Sequence, residues 1–358
     1  MLGWQGSIDS VPLGKRMQDT QVVGYCENDD ISWFRIAAQK EGRQVLSLSR
    51  STPAVGSILA VGFPSDAGLL LEEEVLWERA HPKEPFSETE WRALLYELRI
   101  RFQEASRRSG WGSDSLRMLG FTLRDIRLDG KRIMNPVGFS GRMLSLRGRA
   151  TLLFSDRQQH HVPMPMLLDD AVLRLLDIQD EGICIVLDEH VSSVDIIRAG
   201  MLTRRATIAI GHAAIRKKFM RLCSLASQEA ADELLRALAQ GTLHARLERR
   251  VRQHFFSSLR AWMDGLISGA KIPFSNMPFM IFNAHSIPLF RAIFENHSRS
   301  KKDLFSRFDV RSMFFYEATQ WFPKSIIEPR DAAVSLITKA CLQNPELRFI
   351  SATDRTLF

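Results

Sequence analysis

Apolar positions along this chain recur with two spacings. Short runs rich in Val, Ile, Leu and Phe, bounded by turn residues, predict strands. They fall at 22–25, 31–39, 45–49, 57–62, 121–134 (two short strands about an Asp129-Gly130 turn), 143–154, 183–187, 194–197, 206–211 and 278–282. The run at 143–154 alternates. Leu144, Leu146, Gly148, Ala150, Leu152 and Phe154 share one side, and Arg147 and Arg149 share the other, where they are expected to stay wet. Helical spacing takes over from residue 88, where Trp91, Leu94, Leu95, Leu98 and Phe102 form one apolar face. Ser87 and Glu90 supply the two halves of a capping box, Arg107 and Arg108 suit the last turn, and Gly110 suits the stop. Further helices are predicted at 169–180, at 230–239 between Ser227 and Gly241, and at 331–342. In a long helix between them, Leu247, Val251, Phe255, Leu259, Trp262, Met263 and Leu266 trace one face. Arg246, Arg249, Arg250, Arg252 and Arg260 occupy the other, as in an amphipathic helix packed on a domain core. A surface-lying membrane helix is the alternative, and the position inside the chain argues against it.

The stretch 182–203 organises the rest. A fully apolar strand, 183–187, stops at Asp188, a short turn carrying Ser192 and Ser193 follows, and a second apolar run leads to Gly200. A carboxylate at the end of a buried strand beside a tight turn is where α/β folds place phosphate and metal chemistry.

Composition narrows the field. A chain of 358 residues can bury a large core and is expected to divide into two or three subdomains. Its 45% hydrophobic and 25% charged content is that of an ordinary globular protein. The apolar runs are far short of the roughly 20 residues of a membrane span. Residues 1–17 lack the basic-then-apolar layout of a secretion signal. Cys26, Cys184, Cys223 and Cys341 are scattered without ligand spacing, as reduced cytoplasmic core thiols would be. A net charge of +7, dominated by Arg, suits an acidic partner or an anionic membrane surface. Nucleic acid is a weaker fit, since no binding motif is present. His160-His161, with only Asp156 near in sequence, reads as a solvated loop.

The motifs converge on one resemblance. Asp188 to Asp195 resembles the second phosphate loop of the actin-like ATPase superfamily, which runs apolar-Asp-x-Gly-Gly-Gly-Thr-x-Asp-apolar. Asp188 falls on the first Asp, Ser193 on the Thr and Asp195 on the second Asp, while His190, Val191 and Ser192 stand where the glycines would be. The phrase Asp-Gly-x-x-x-x-Asn-Pro-Val-Gly-x-x-Gly, Asp129 to Gly141, resembles the inserted (SHS2-type) subdomain of FtsA/PilM-like members. The turn after 21–25, Cys26-Glu27-Asn28-Asp29-Asp30, matches the first phosphate loop but holds three acidic residues and no glycine. It reads as a solvated turn, with a divalent cation on its carboxylates the alternative. Asn283 and Ala284 stand at the glycine positions of the adenosine segment. Glycine lets backbone amides approach a phosphate at φ values barred to other residues. Its loss from all three loops implies that nucleotide handling has been given up.

The resemblance implies an α/β, actin-like (ribonuclease H-like) two-domain fold with an inserted small α+β subdomain. The expected division is a lead-in at 1–19, a first domain at 20–56 and 165–205, the insertion at 57–164, a second domain at 206–350 and a tail at 351–358. The family helix after 143–154 is not expected here, because 156–166 is short and holds Pro163 and Pro165. The implied function is a catalytically silent scaffold for a protein partner in division or envelope and pilus assembly. No catalytic residue and no metal ligand is assigned. Asp188, Ser193, Asp195, Asn283 and Ala284 mark a degenerate nucleotide cleft, and Arg147 and Arg149 are the candidate partner contacts. Self-association and a peripheral contact at the inner face of the membrane stay open. The alternative is an active ATPase binding ATP and Mg, with Asp188 or Glu27 holding a metal-bound water.

Overall fold

In a computed structural model, the structure describes residues 21–27, 30–38, 44–49, 58–109, 116–154, 165–272 (apart from 177 and 179), 277–283, 313–317 and 349–351, with scattered residues in 333–340. Its strands are β1 (Gln21–Glu27), β2 (Asp30–Ala38), β3 (Gln44–Ser49), β4 (Ile58–Phe63), β5 (Gly68–Glu78), β6 (Leu116–Leu128), β7 (Lys131–Arg132), β8 (Met143–Phe154), β9 (Pro165–Leu167), β10 (Gly182–Leu187), β11 (Ser192–Arg198), β12 (Met201–Ile208), β13 (Phe279–Asn283), β14 (Met313–Glu317) and β15 (Phe349–Ser351). The helices are α1 (Glu88–Arg108), α2 (Leu168–Leu176), α3 (His212–Cys223), α4 (Gln228–Gln240) and α5 (Ala245–Ala270).

Two five-stranded sheets repeat one topology. The first has the order β3-β2-β1-β4-β9, with β2 antiparallel to β1 and β4 and β9 running parallel to it. The second has the order β12-β11-β10-β13-β14, again with a leading antiparallel meander followed by parallel strands. Numbered within itself, each sheet reads 3-2-1-4-5.

The chain forms two compact units, 1–63 with 67–167 and 338–358, and 64–66 with 168–337. This moves three expected boundaries. The strands at 182–208, expected in the first domain, share a sheet with β13 and so belong to the second. β4, expected to open the insertion, is an inner strand of the first sheet. β15 at 349–351, expected to close the second domain, instead adds an antiparallel edge to the inserted sheet at Gly120–Thr122. The expected helix-free segment after β8 lies outside the described residues up to 164, and so do Gly110, His160 and His161.

In the second unit, β10 is buried along its whole length, as a strand inside a sheet covered on both faces must be. The period-2 alternation sorts its neighbours. Ile183, Ile185 and Leu187 join Val194, Ile196, Phe279 and Ile281 under α3, α4 and α5. Cys184, Ser193 and Asp195 take the opposite face. There Arg205, in register with Asp195, reaches Asp169 of α2 at 2.5 Å and donates to the Ser65 carbonyl. Burial, with Asp195 and Asp169 nearby, pushes the Cys184 thiol well above its ordinary 9.0. The α5 stripe packs as its spacing requires from Val251 to Leu266, but Leu247 is 47% exposed. Arg252, on the opposite face by spacing, is buried and bonded to Glu248.

In the inserted subdomain the order is β15-β6-β8-β5, with β7 paired to β6. The capping box forms as predicted: Glu90 N donates to Ser87 Oγ at 3.2 Å, and Ser87 N donates to Glu90 Oε2 at 2.8 Å. Trp91, Leu94, Leu95, Leu98 and Phe102 bury against Val75, Leu144, Leu146, Ala150 and Leu152. Ser109 is the C-cap.

Candidate functional site

The second sheet reverses its order between β10 and β13, and a ligand site of an α/β sheet belongs beyond the carboxyl ends of the strands at such a switch point. Leu187, Asn283 and Glu317 are register partners at this edge, and Asp188 follows one residue beyond Leu187. The structure thus brings together two of the five positions picked out in the sequence. Ser193 and Asp195 instead lie within β11, with no exposure. Asp195 is 3.8 Å from the Arg205 guanidinium, and Ser193 Oγ has no hydrogen-bond partner among the described residues. Ala284 lies outside the described residues, as do Asn28 and Asp29 of the first-unit turn.

The β10–β11 turn is closed by its own groups. Asp188 N donates to the Val191 carbonyl at 3.0 Å, and Glu189 N donates to Asp188 Oδ1 at 2.7 Å. The N-terminus of α3 then docks on the turn. His212 N and Ala213 N donate to the carbonyls of Asp188 and Glu189, both at 2.8 Å. Free amides at a helix start form an anion site; here backbone carbonyls occupy them. Gly211 permits this approach, because a Cβ there would sit 2.5 Å from the backbone of His190 and Val191. The Glu189 carboxylate is held in turn. It accepts from Arg216, which also pairs with Asp232 at 3.3 Å, and lies 3.6 Å from Nδ1 of the fully buried His212.

Two of the three residues at the glycine positions of the resembled motif are built into the interior. Val191 is buried. Ser192 Oγ accepts from Trp262 Nε1 at 2.9 Å and donates to the Ile210 carbonyl at 2.6 Å, which ties the turn to α5. His190 faces solvent. Gly211, His212, Arg216 and Glu189 were not singled out in the sequence. The one signal available was Gly211, a lone glycine between a strand and a helix.

The inserted sheet corrects the expectation that Arg149 stays wet and leaves Arg147 half-buried. On that face of β5 and β8 the register pairs are Glu78–Met143, Leu76–Ser145, Glu74–Arg147, Glu72–Arg149 and Leu70–Thr151. Exposure falls along this series. Leu76 is 63% and Met143 39% exposed, Arg147 is half-buried with Glu74 at 3.8 Å, and Arg149 is 4% exposed. Arg149 lies 2.8 Å from a Glu72 carboxylate that is itself buried. A buried guanidinium needs such a partner, so Arg149 is part of the interior. Among the described residues, no cluster of three His, Cys, Asp or Glu side chains fits a metal ion.

Two sheets of order 3-2-1-4-5 in one chain, with an α+β insertion between β4 and β9 of the first, define an actin-like (ribonuclease H-like) fold. No family model and no curated protein matches the chain. Among solved structures, a chain of a PilM-PilN type IV pilus biogenesis complex is similar, with a TM-score of 0.46 and 11% identity, over 90% of this chain and 99% of that one. The ethanolamine utilization protein EutJ from Carboxydothermus hydrogenoformans is similar at a TM-score of 0.32 and 13% identity, over 48% of this chain and 54% of that one. The fold class is carried by the repeated strand order, not by these matches.

Proposed function

We propose that this chain is a catalytically silent, FtsA/PilM-like adaptor that holds a protein partner in division, envelope or pilus assembly and does not turn over ATP. One observation carries the reading: the α3 N-terminus is capped by the turn that would otherwise receive a phosphate, and Glu189 is bound there to Arg216. The residues at this edge do not fit a nucleotide phosphate. The amides of Asp188, Glu189, His212 and Ala213 are already engaged, and the Glu189 carboxylate has the sign of the ligand it would face. Rebuilding a cradle would require the turn to leave α3 and the Glu189–Arg216 pair to break.

The setting rests on the sequence resemblance at Asp129–Gly141. The partner surface on the inserted subdomain is the open end of the β5–β8 face, where Leu76 and Met143 stand exposed beside Glu78. No helix among the described residues is long and apolar enough to cross a membrane. Titration calorimetry of the full chain with Mg-ATP and Mg-ADP, alongside a phosphate-release assay, tests the silent half of the reading. The expected result is no saturable heat and no turnover above background. Saturable binding with turnover would make the chain an ATPase.

A further inference from the structure

The α5 stripe runs one turn beyond the core it packs on, and that overhang has its own chemistry. α3 and α5 lie antiparallel in the second unit. The Phe219 and Phe255 rings are 5.8 Å apart, and Gly265 meets Ile210 just before the start of α3. The last turns of α3 therefore flank the first turns of α5. Exposed on these turns are Lys217 and Arg221 from α3 and Arg246, Arg249 and Arg250 from α5. Among the described residues none of these five forms an ion pair, whereas the neighbouring acids Asp232 and Glu248 are taken by Arg216 and Arg252. The exposed acids of this layer are Glu229 and Glu233 on α4 and Asp264 toward the far end of α5. In the middle of the α5 arginines stands Leu247, 47% exposed, on a turn whose His244, Ala245 and Arg246 are also exposed.

We infer that this face, the first turns of α5 with the adjoining end of α3, docks on an anionic lipid surface. Unpaired basic side chains are drawn to the negative potential of acidic headgroups. Their aliphatic stems and Leu247 can enter the headgroup boundary while the guanidinium groups stay wet. A lipid surface uses both halves of the pattern. A nucleic acid or an acidic peptide would use the arginines and leave Leu247 without a role. The inference does not depend on whether the chain binds nucleotide.

The test is co-sedimentation of the full chain with vesicles of phosphatidylcholine alone and of phosphatidylcholine mixed with phosphatidylglycerol. The expected result is binding to the mixed vesicles only, weakening as salt rises. At about fivefold per basic residue near the surface, the triple variant Arg246→Gln, Arg249→Gln, Arg250→Gln loses roughly a hundredfold in affinity. Leu247→Ser loses about tenfold on vesicles yet binds heparin, a soluble polyanion, like the parent. All four side chains are exposed, so both variants should unfold in urea at the parent's midpoint. Three outcomes overturn the inference: a parent that does not bind mixed vesicles, a triple variant that binds like the parent, or a Leu247→Ser variant with unchanged vesicle binding. The last would assign the face to an acidic macromolecule.

Discussion

Two loops of this chain begin with an aspartate, and they differ in what that aspartate holds. In the loop 129–141 nearly every residue of the family phrase has a structural duty. Asp129 accepts from the amides of Arg142 and Met143 at 3.0 and 2.8 Å. Asn135 Oδ1 accepts from Val137 N at 3.1 Å, and Gly138, at φ +87°, donates to the Phe86 carbonyl at 2.9 Å. A Cβ on Gly141 would lie 2.6 Å from the Leu128 side chain. In the first loop the residues of the phrase are tied into the inserted subdomain by these contacts. In the stretch 188–192 the aspartate is matched, but His190, Val191 and Ser192 stand at the glycine positions, and two of them, Val191 and Ser192, are buried. A retained motif is therefore weak evidence of retained activity, and a replaced one is informative once its substitutes are seen to be bonded.

If the turn is a closed structural element, its largest dependence is on Arg216. Arg216→Ala leaves Glu189 and Asp232 without their cation and should cost about 2–4 kcal/mol in urea unfolding, since stripping one partner from a largely buried pair is strongly destabilising. A loss within experimental error would mean the turn is open in solution. Gly211→Ala probes the same closure through space. Forcing a Cβ into the backbone of His190 and Val191 should cost about 1–3 kcal/mol, and the amides of His212 and Ala213 should exchange faster with deuterated water. Parent-like exchange there would show that α3 does not rest on the turn.

The loop 129–141 is expected to respond more mildly, because its polar groups are exposed and water can replace a lost partner. Asp129→Ala should cost about 1–2 kcal/mol, without altering vesicle binding. A larger loss than that of Arg216→Ala would invert the comparison.

Much of the fold was legible in the sequence because local rules were obeyed locally. The Ser87–Glu90 capping box, the α1 stripe and the Ser227 and Gly241 limits of α4 all formed where their residues predicted. The assignment of strands to sheets was not legible. Alternation shows that 183–187 is buried but not beside which strand, and a fold that repeats one strand order offers two equivalent places. Arg149 misled for a related reason. Alternation marked its face as the one turned away from α1, but that face is itself covered from Glu72–Arg149 onward, so the wet side of the strand is confined to its Met143 end. Of the site, Asp188 and Asn283 were legible as strand ends. The Glu189–Arg216 pair spans 27 residues with no motif to announce it.

The smallest predicted effect is on acid stability and concerns the insertion. The bidentate contact from Arg79, at 3.0 and 3.1 Å, holds the Glu90 carboxyl below its ordinary 4.5, helped by the Ser87 amide. A folded-state value below the unfolded one contributes stability above about 4.5, and that contribution fades as pH falls through the lowered value. Glu90→Gln should therefore be less stable than the parent at pH 7, and the gap should close on acidification below about 4.5. A gap that stays constant with pH would remove the ion pair from the account.

If the β10–β11 turn closes the place at the α3 N-terminus where a phosphate would sit, nucleotide should not stabilise the chain. The measurement is thermal unfolding of the full chain with increasing Mg-ATP. A ligand at about 100 times its dissociation constant stabilises the native state by about 2.7 kcal/mol, a shift of several degrees. The expectation is an unfolding temperature that does not move across the titration. A saturable rise, abolished by omitting nucleotide and retained with ADP, would contradict it.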